Sequence, residues 1–112
     1  MTKVFISQPM NGKTVKQIEE DRKHAITLAR EHINDEIEII SSYFENYNPD
    51  KGCIPMKYLA KSIEMLADAD VAVFVKGWNT TRGCLIEFQC ARSYGIKMII
   101  EEEEFEDENN QD

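Results

Sequence analysis

The chain has 112 residues, enough for one domain whose core needs no disulfide or metal staple. Its formal charge of −8 is local: eight of the 21 acidic residues fall in residues 101–112, which leaves 13 acids against 13 Lys and Arg in residues 1–100. The acidic end repels a nucleic-acid backbone, no apolar run is long enough to span a membrane, and the apolar part of the N-terminus is too short for a signal peptide. Three cysteines (Cys53, Cys84, Cys90), an odd number without metal-type spacing, fit reduced thiols in a cytoplasm.

In chain order, Lys3–Ser7 reads as a short buried strand, broken by Gln8-Pro9-Met10-Asn11-Gly12-Lys13. Thr14 and Gln17 form a capping box, and Val15, Ile18, Arg22, Ala25, Ile26, Ala29 and Ile33 follow at helical spacing, the stem of Arg22 being tolerable in an apolar stripe. His24 and His32 lie on this helix, far from any expected site. Glu36–Ser41 is a second strand. Residues 42–54 form a loop with Tyr43, Phe44 and Tyr47, suited to a lid, to stacking on a base, or simply to covering the core. Pro55 opens a helix with Met56, Leu59, Ile63 and Leu66 on one face. Asp68-Ala69-Asp70 precedes a strand at Val71–Val75. A loop, Lys76–Arg82, leads to a helix from Gly83 to Tyr94 that Gly95 ends, and Lys97–Ile100 is the last strand. Residues 1–100 thus read as one domain and 101–112 as an acidic tail expected to be solvated and disordered, or else to bind a partner.

Strict alternation of strand and helix demands a parallel sheet with helices on both faces. The expected fold is a flavodoxin- or Rossmann-like three-layer α/β sandwich with four, at most five, parallel strands in the order 2-1-3-4. Ligands of such sheets bind beyond the carboxyl ends of the strands where the order reverses, here between the first and third strands. Their exit loops are Gln8–Lys13 and Lys76–Arg82.

Glu87 is the residue on which chemistry is expected to turn. It is the one carboxylate in the uncharged run Gly83–Ala91, about one turn into its helix. The helix dipole there favours the ionised form while apolar neighbours strip it of water, a combination that suits a nucleophile or base. A surface Glu that merely complements the dipole is the plain alternative. Asp70 has one too, as the turn residue ahead of a buried strand, and Trp78 either walls a pocket or buries an edge against the next loop. Asp68 and Asp70 without further ligands are poor evidence for a metal, and none is expected, nor any cofactor.

Three pieces in order, Val4-Phe5-Ile6-Ser7-Gln8-Pro9-Met10-Asn11-Gly12, Ala69-Asp70-Val71-Ala72-Val73 and Gly83-x-x-x-Glu87 with Ala91, resemble the nucleoside 2-deoxyribosyltransferase superfamily. With Gly77-Trp78 and Thr81-Arg82-Gly83 the likeness is to small phage and bacterial members near its nucleotide N-glycosidase branch, over residues 3–100 with the middle loop unmatched. The resemblance implies that Glu87 attacks C1′ of a (deoxy)ribose and expels the base, giving a covalent glycosyl-enzyme that water or another base resolves. It further implies that Asp70 handles the base or orients the nucleophile. Ser7, Gln8, Pro9, Met10, Asn11, Gly12, Gly77, Trp78, Thr81, Arg82 and Gly83 are expected to bind substrate. Thr81 stands where the hydrolases place a phosphate-binding Ser, although it suits an N-cap equally, and Arg82 beside it adds charge. Two departures cut the other way: a Tyr that bonds the nucleophile is replaced by Phe5, and a phosphate-binding Arg by Asn11.

The expected activity is cleavage or transfer at the N-glycosidic bond of a nucleotide or nucleoside. The competing class is a catalytically silent nucleotide-binding or sensing module, with cleavage of a larger nucleotide such as NAD a remoter option. The expected partners are the small-molecule substrate and further copies of the chain in a homo-oligomer, with the second helix (Met56, Leu59, Met65) as one contact, but neither nucleic acid nor membrane.

Overall fold

In the computed structural model, residues 1–40 and 46–102 are described. The elements run β1 (Thr2–Ser7), α1 (Val15–His32), β2 (Ile37–Ile39), α2 (Ile54–Leu66), β3 (Val71–Phe74), a 3-10 turn at Trp78–Thr80, α3 (Arg82–Ser93) and β4 (Lys97–Ile100). The four strands form one parallel sheet in the order β2-β1-β3-β4, as expected. Tyr43 and Phe44 of the aromatic loop, Ser41 of the expected second strand and residues 103–112 of the tail lie outside the described residues. Among those described, no helix is long and apolar enough to cross a membrane.

The two-residue period of the strands builds the layers. Val4 and Ile6 of β1, with Val71, Val73, Val75 and Ile99, pack against Ala25 and Ala29 of α1. Phe5, Ala72 and Phe74 point the other way, against Leu66 of α2 and Ala91 of α3. Right-handed crossovers require this division, because the chain reverses direction across the sheet after β2. Ser7 continues the Phe5 side of β1, which puts its hydroxyl under α2 and α3. The Phe5 ring is itself core, 2% exposed.

Thr14 caps α1 reciprocally with Gln17: Thr14 Oγ1 accepts the Gln17 N–H at 3.1 Å and Gln17 Oε1 accepts the Thr14 N–H at 2.9 Å. The apolar stripes are narrower than the spacing suggests. Val15 and Met56, in the first turns of α1 and α2, are exposed. Past β4 the chain stays paired for one more residue, the Glu101 N–H donating to the Phe74 carbonyl. The Glu101 carboxylate accepts the Lys76 N–H at 2.9 Å and meets His24 Nδ1 at 2.6 Å. This first acid of the run therefore belongs to the fold and not to a solvated tail.

Phe74 of β3 is fully buried in the core cluster with Phe5, Leu66 and Ala91, on the α2/α3 side of the sheet. Phe74→Ala should cost about 3–5 kcal/mol in chemical denaturation. Val15→Ala, which a purely periodic reading of α1 makes a core deletion, should stay within about 0.5 kcal/mol of the parent.

Candidate functional site

A cavity of about 410 Å³ opens at the carboxyl ends of β1 and β3, where the strand order reverses. Gln8, Pro9, Met10 and Asn11 from the β1 exit loop form one wall, and Thr81, Gly83, Cys84 and Glu87 from the start of α3 form another. Tyr58, Leu59 and Ser62 of α2 close the third side. The loop geometry follows from local constraints. Gly77 takes φ +92°, a left-handed conformation other residues rarely adopt, and turns the chain beside Pro9 into the 3-10 turn ahead of α3.

Glu87 is 7% exposed and its two oxygens have separate donors. The Ser7 hydroxyl, rising from the end of β1, donates to Oε1 at 2.5 Å, and the Ser62 hydroxyl, from α2, donates to Oε2 at 2.7 Å. Glu87 sits six residues past the N-cap position, a turn deeper than the strongest part of the helix dipole. Burial consequently dominates and pushes its carboxyl above the ordinary value, with the two serine hydroxyls pulling it back. Burial likewise pushes up the Cys84 thiol, one turn earlier on α3; the Ser7 and Thr81 side chains oppose that rise and the charge of Glu87 adds to it. No Lys, Arg or His is among the described residues lining the cavity. Hydroxyls, not cations, therefore compensate the carboxylate.

The N-terminus of α3 supplies the cavity's second polar feature. Thr81 occupies the N-cap position, but its hydroxyl donates to the Trp78 carbonyl at 3.3 Å and makes no cap hydrogen bond. The first N–H groups of α3 are thus left without a side-chain cap beside the cavity, an arrangement that suits an anion.

Of the residues expected from sequence, Gln8, Pro9, Met10, Asn11, Thr81, Gly83 and Glu87 meet in this cavity, with Ser7 buried beneath it. Arg82 lines a neighbouring cavity of about 270 Å³, with Cys53, Pro55, Met56 and Ile86, that shares Leu59 and Gly83 with the first. Gly12 and Gly77 shape their turns without lining either. Two expectations need correction. Trp78 stacks on Phe88 at 4.3 Å and meets Phe74 edge-on at 5.9 Å, so its ring is spent on the core. Asp70 precedes β3 at the amino end of the sheet, exposed, where its carboxylate accepts the Lys3 N–H at 2.8 Å. The length of β3, about 13 Å at strand rise, separates it from the cavity, and its part is that of a turn residue.

Tyr58, Leu59, Ser62 and Cys84 line the cavity without having been expected there from sequence, and of these Ser62 is the one that bonds Glu87. Its one signal is position: a hydroxyl three residues after Leu59, on a helix face otherwise aimed at the core. Among the described residues no group of three or more His, Cys, Asp or Glu side chains is placed to hold a metal ion.

These features define a Rossmann-like α/β domain with a desolvated, hydroxyl-held carboxylate at the switch point of its sheet. Over residues 2–100 the chain matches a domain family of unknown function, DUF4406, and it belongs to that family. Neither a curated protein nor a solved structure matches it.

A carboxyl whose proton affinity is higher in the folded than in the unfolded chain makes the folded state bind more protons between the two values, so stability falls as pH rises through that window. Glu87→Gln keeps the shape and removes the buried charge. It should melt above the parent at pH 8, and the gap should close as the pH falls towards 4.

Proposed function

We propose that the protein cleaves or transfers at the N-glycosidic bond of a nucleotide or nucleoside, with Glu87 as nucleophile. The observation that carries this reading is a nearly dry carboxylate, aimed by two hydroxyls, in the wall of a cavity of nucleotide size. Glu87 Oε2 bonds to C1′ as the C1′–N bond breaks, and that bond's electron pair leaves with the base, which takes its proton from water. In the second step a water oxygen, or a nitrogen of a second base, bonds to C1′, the ester pair returns to Glu87, and the attacking group releases its proton to solvent, replacing the one the departing base took. Dividing one displacement into two lowers each barrier.

The single carboxylate favours an N-glycoside over an O-glycoside. Glycosidases acting on sugar ethers need a second carboxylic acid to protonate a poor alkoxide leaving group. No second carboxylate lines this cavity among the described residues, and a nucleobase, a far weaker base than an alkoxide, departs without one. The uncapped start of α3, with Thr81 and Asn11 nearby, suits a 5′-phosphate, and this supports a preference for nucleotides over nucleosides. Phe5 in place of a tyrosine does not leave the carboxylate unaimed, since Ser7, two residues on, and Ser62 hold it.

Incubation with a panel of nucleosides and 5′-mononucleotides should release free base, detected by chromatography. Glu87→Gln should lower the rate at least 10³-fold while mononucleotide binding changes little, because the amide keeps the shape and loses the nucleophile. Binding without base release by the parent protein would assign the pocket instead to a nucleotide-sensing module, the reading that Asn11 in place of an arginine favours.

A further inference from the structure

We propose that Ser62 of α2 is a positioning residue for Glu87, its hydroxyl fixing the carboxylate oxygen that faces the cavity. The two serines are not equivalent. Ser7 is 2% exposed, lies beneath the cavity and holds Oε1 from inside the sheet layer. Ser62 is half-buried, lines the cavity itself and holds Oε2 at 2.7 Å. Oε2 is therefore the oxygen an incoming group meets, and Ser62 decides where that oxygen points.

The energetics give the contact weight. A carboxylate with little water depends on the donors it has, and a hydrogen bond to an ionised group is stronger than one between neutral partners. Other titratable groups close to Glu87 are few. Cys84 stands one turn earlier on α3 and its burial favours the neutral thiol, while Tyr58 lies on the α2 wall. Neither β1 nor its exit loop brings a titratable side chain to the cavity wall. Without the Ser62 hydroxyl, Oε2 loses the donor that holds it at 2.7 Å, so the ionised form of Glu87 is disfavoured and Oε2 is released from its fixed direction.

This role rests on Glu87 being the functional carboxylate, but its test does not need turnover. Side-chain carboxyl NMR of protein labelled with ¹³C-Glu, assigned with Glu87→Gln, reads the Glu87 titration directly. Ser62→Ala should move the midpoint to higher pH by about one pH unit, and Ser62→Thr, which keeps the hydroxyl, should return it to within a few tenths. Should Ser62→Ala fail to fold, Ser62→Cys, of similar shape and weaker donation, should move the midpoint in the same direction. Where base release is observed, the acid limb of the kcat profile should follow the same displacement with KM little changed. An unmoved midpoint in a folded Ser62→Ala or Ser62→Cys protein would overturn the role. Absence of base release with a displaced midpoint would overturn the glycosidic reading and leave this one standing.

Discussion

The organisation of this protein turns on a carboxylate placed where water barely reaches it. Taking Glu87 out of solvent costs free energy that only good geometry recovers, and a half-made arrangement would be worse than none. The remedy draws on three separate elements. A strand end supplies one hydroxyl, a helix crossing above it supplies the other, and a second helix carries the acid between them. None of the three can move far without leaving a charge unpaired.

The surrounding packing meets that demand. Phe74, Phe88 and Trp78 form an aromatic cluster behind the start of α3, with ring centroids 4.3–5.9 Å apart, Trp78 stacked on Phe88 and Phe74 edge-on to both, and they buttress the turn that launches the helix. Gly77 allows that turn to pass close to Pro9. The result is a cavity whose walls come from the two loops leaving neighbouring strands, a consequence of a parallel sheet that reverses its order between them. Pocket and core are thus two faces of the same packing problem.

The fold was legible because each of its levels agreed. Hydrophobic runs alternated with helical stripes, a reciprocal cap marked the start of α1, and glycines marked the turns, so that a parallel sheet followed from the alternation, while its 2-1-3-4 order came from analogy with flavodoxin-like sheets. Glu87 was legible for the related reason that one acid in an uncharged run must be either exposed or compensated. Ser62 was hidden because a serine on a helix face carries no periodic signal; its partner lies 25 residues away, and only the crossing of α2 over α3 brings them together. Asp70 misled in the opposite sense. An acid ahead of a buried strand looks the same whether it serves chemistry or caps a neighbouring strand, and the distinction lies in which end of the sheet it occupies. Trp78 was ambiguous for want of knowing that Phe88 would rise to meet it.

The acidic run after β4 has its own lesson, carried by its first member. Glu101 fastens three segments that are otherwise remote: the strand it extends, the start of the loop after β3, and the middle of α1 through His24. The loop it grips is the one that ends in α3. Shortening the chain to residue 100 would remove more than charge; it would unpin the start of the loop that leads into the helix carrying Glu87.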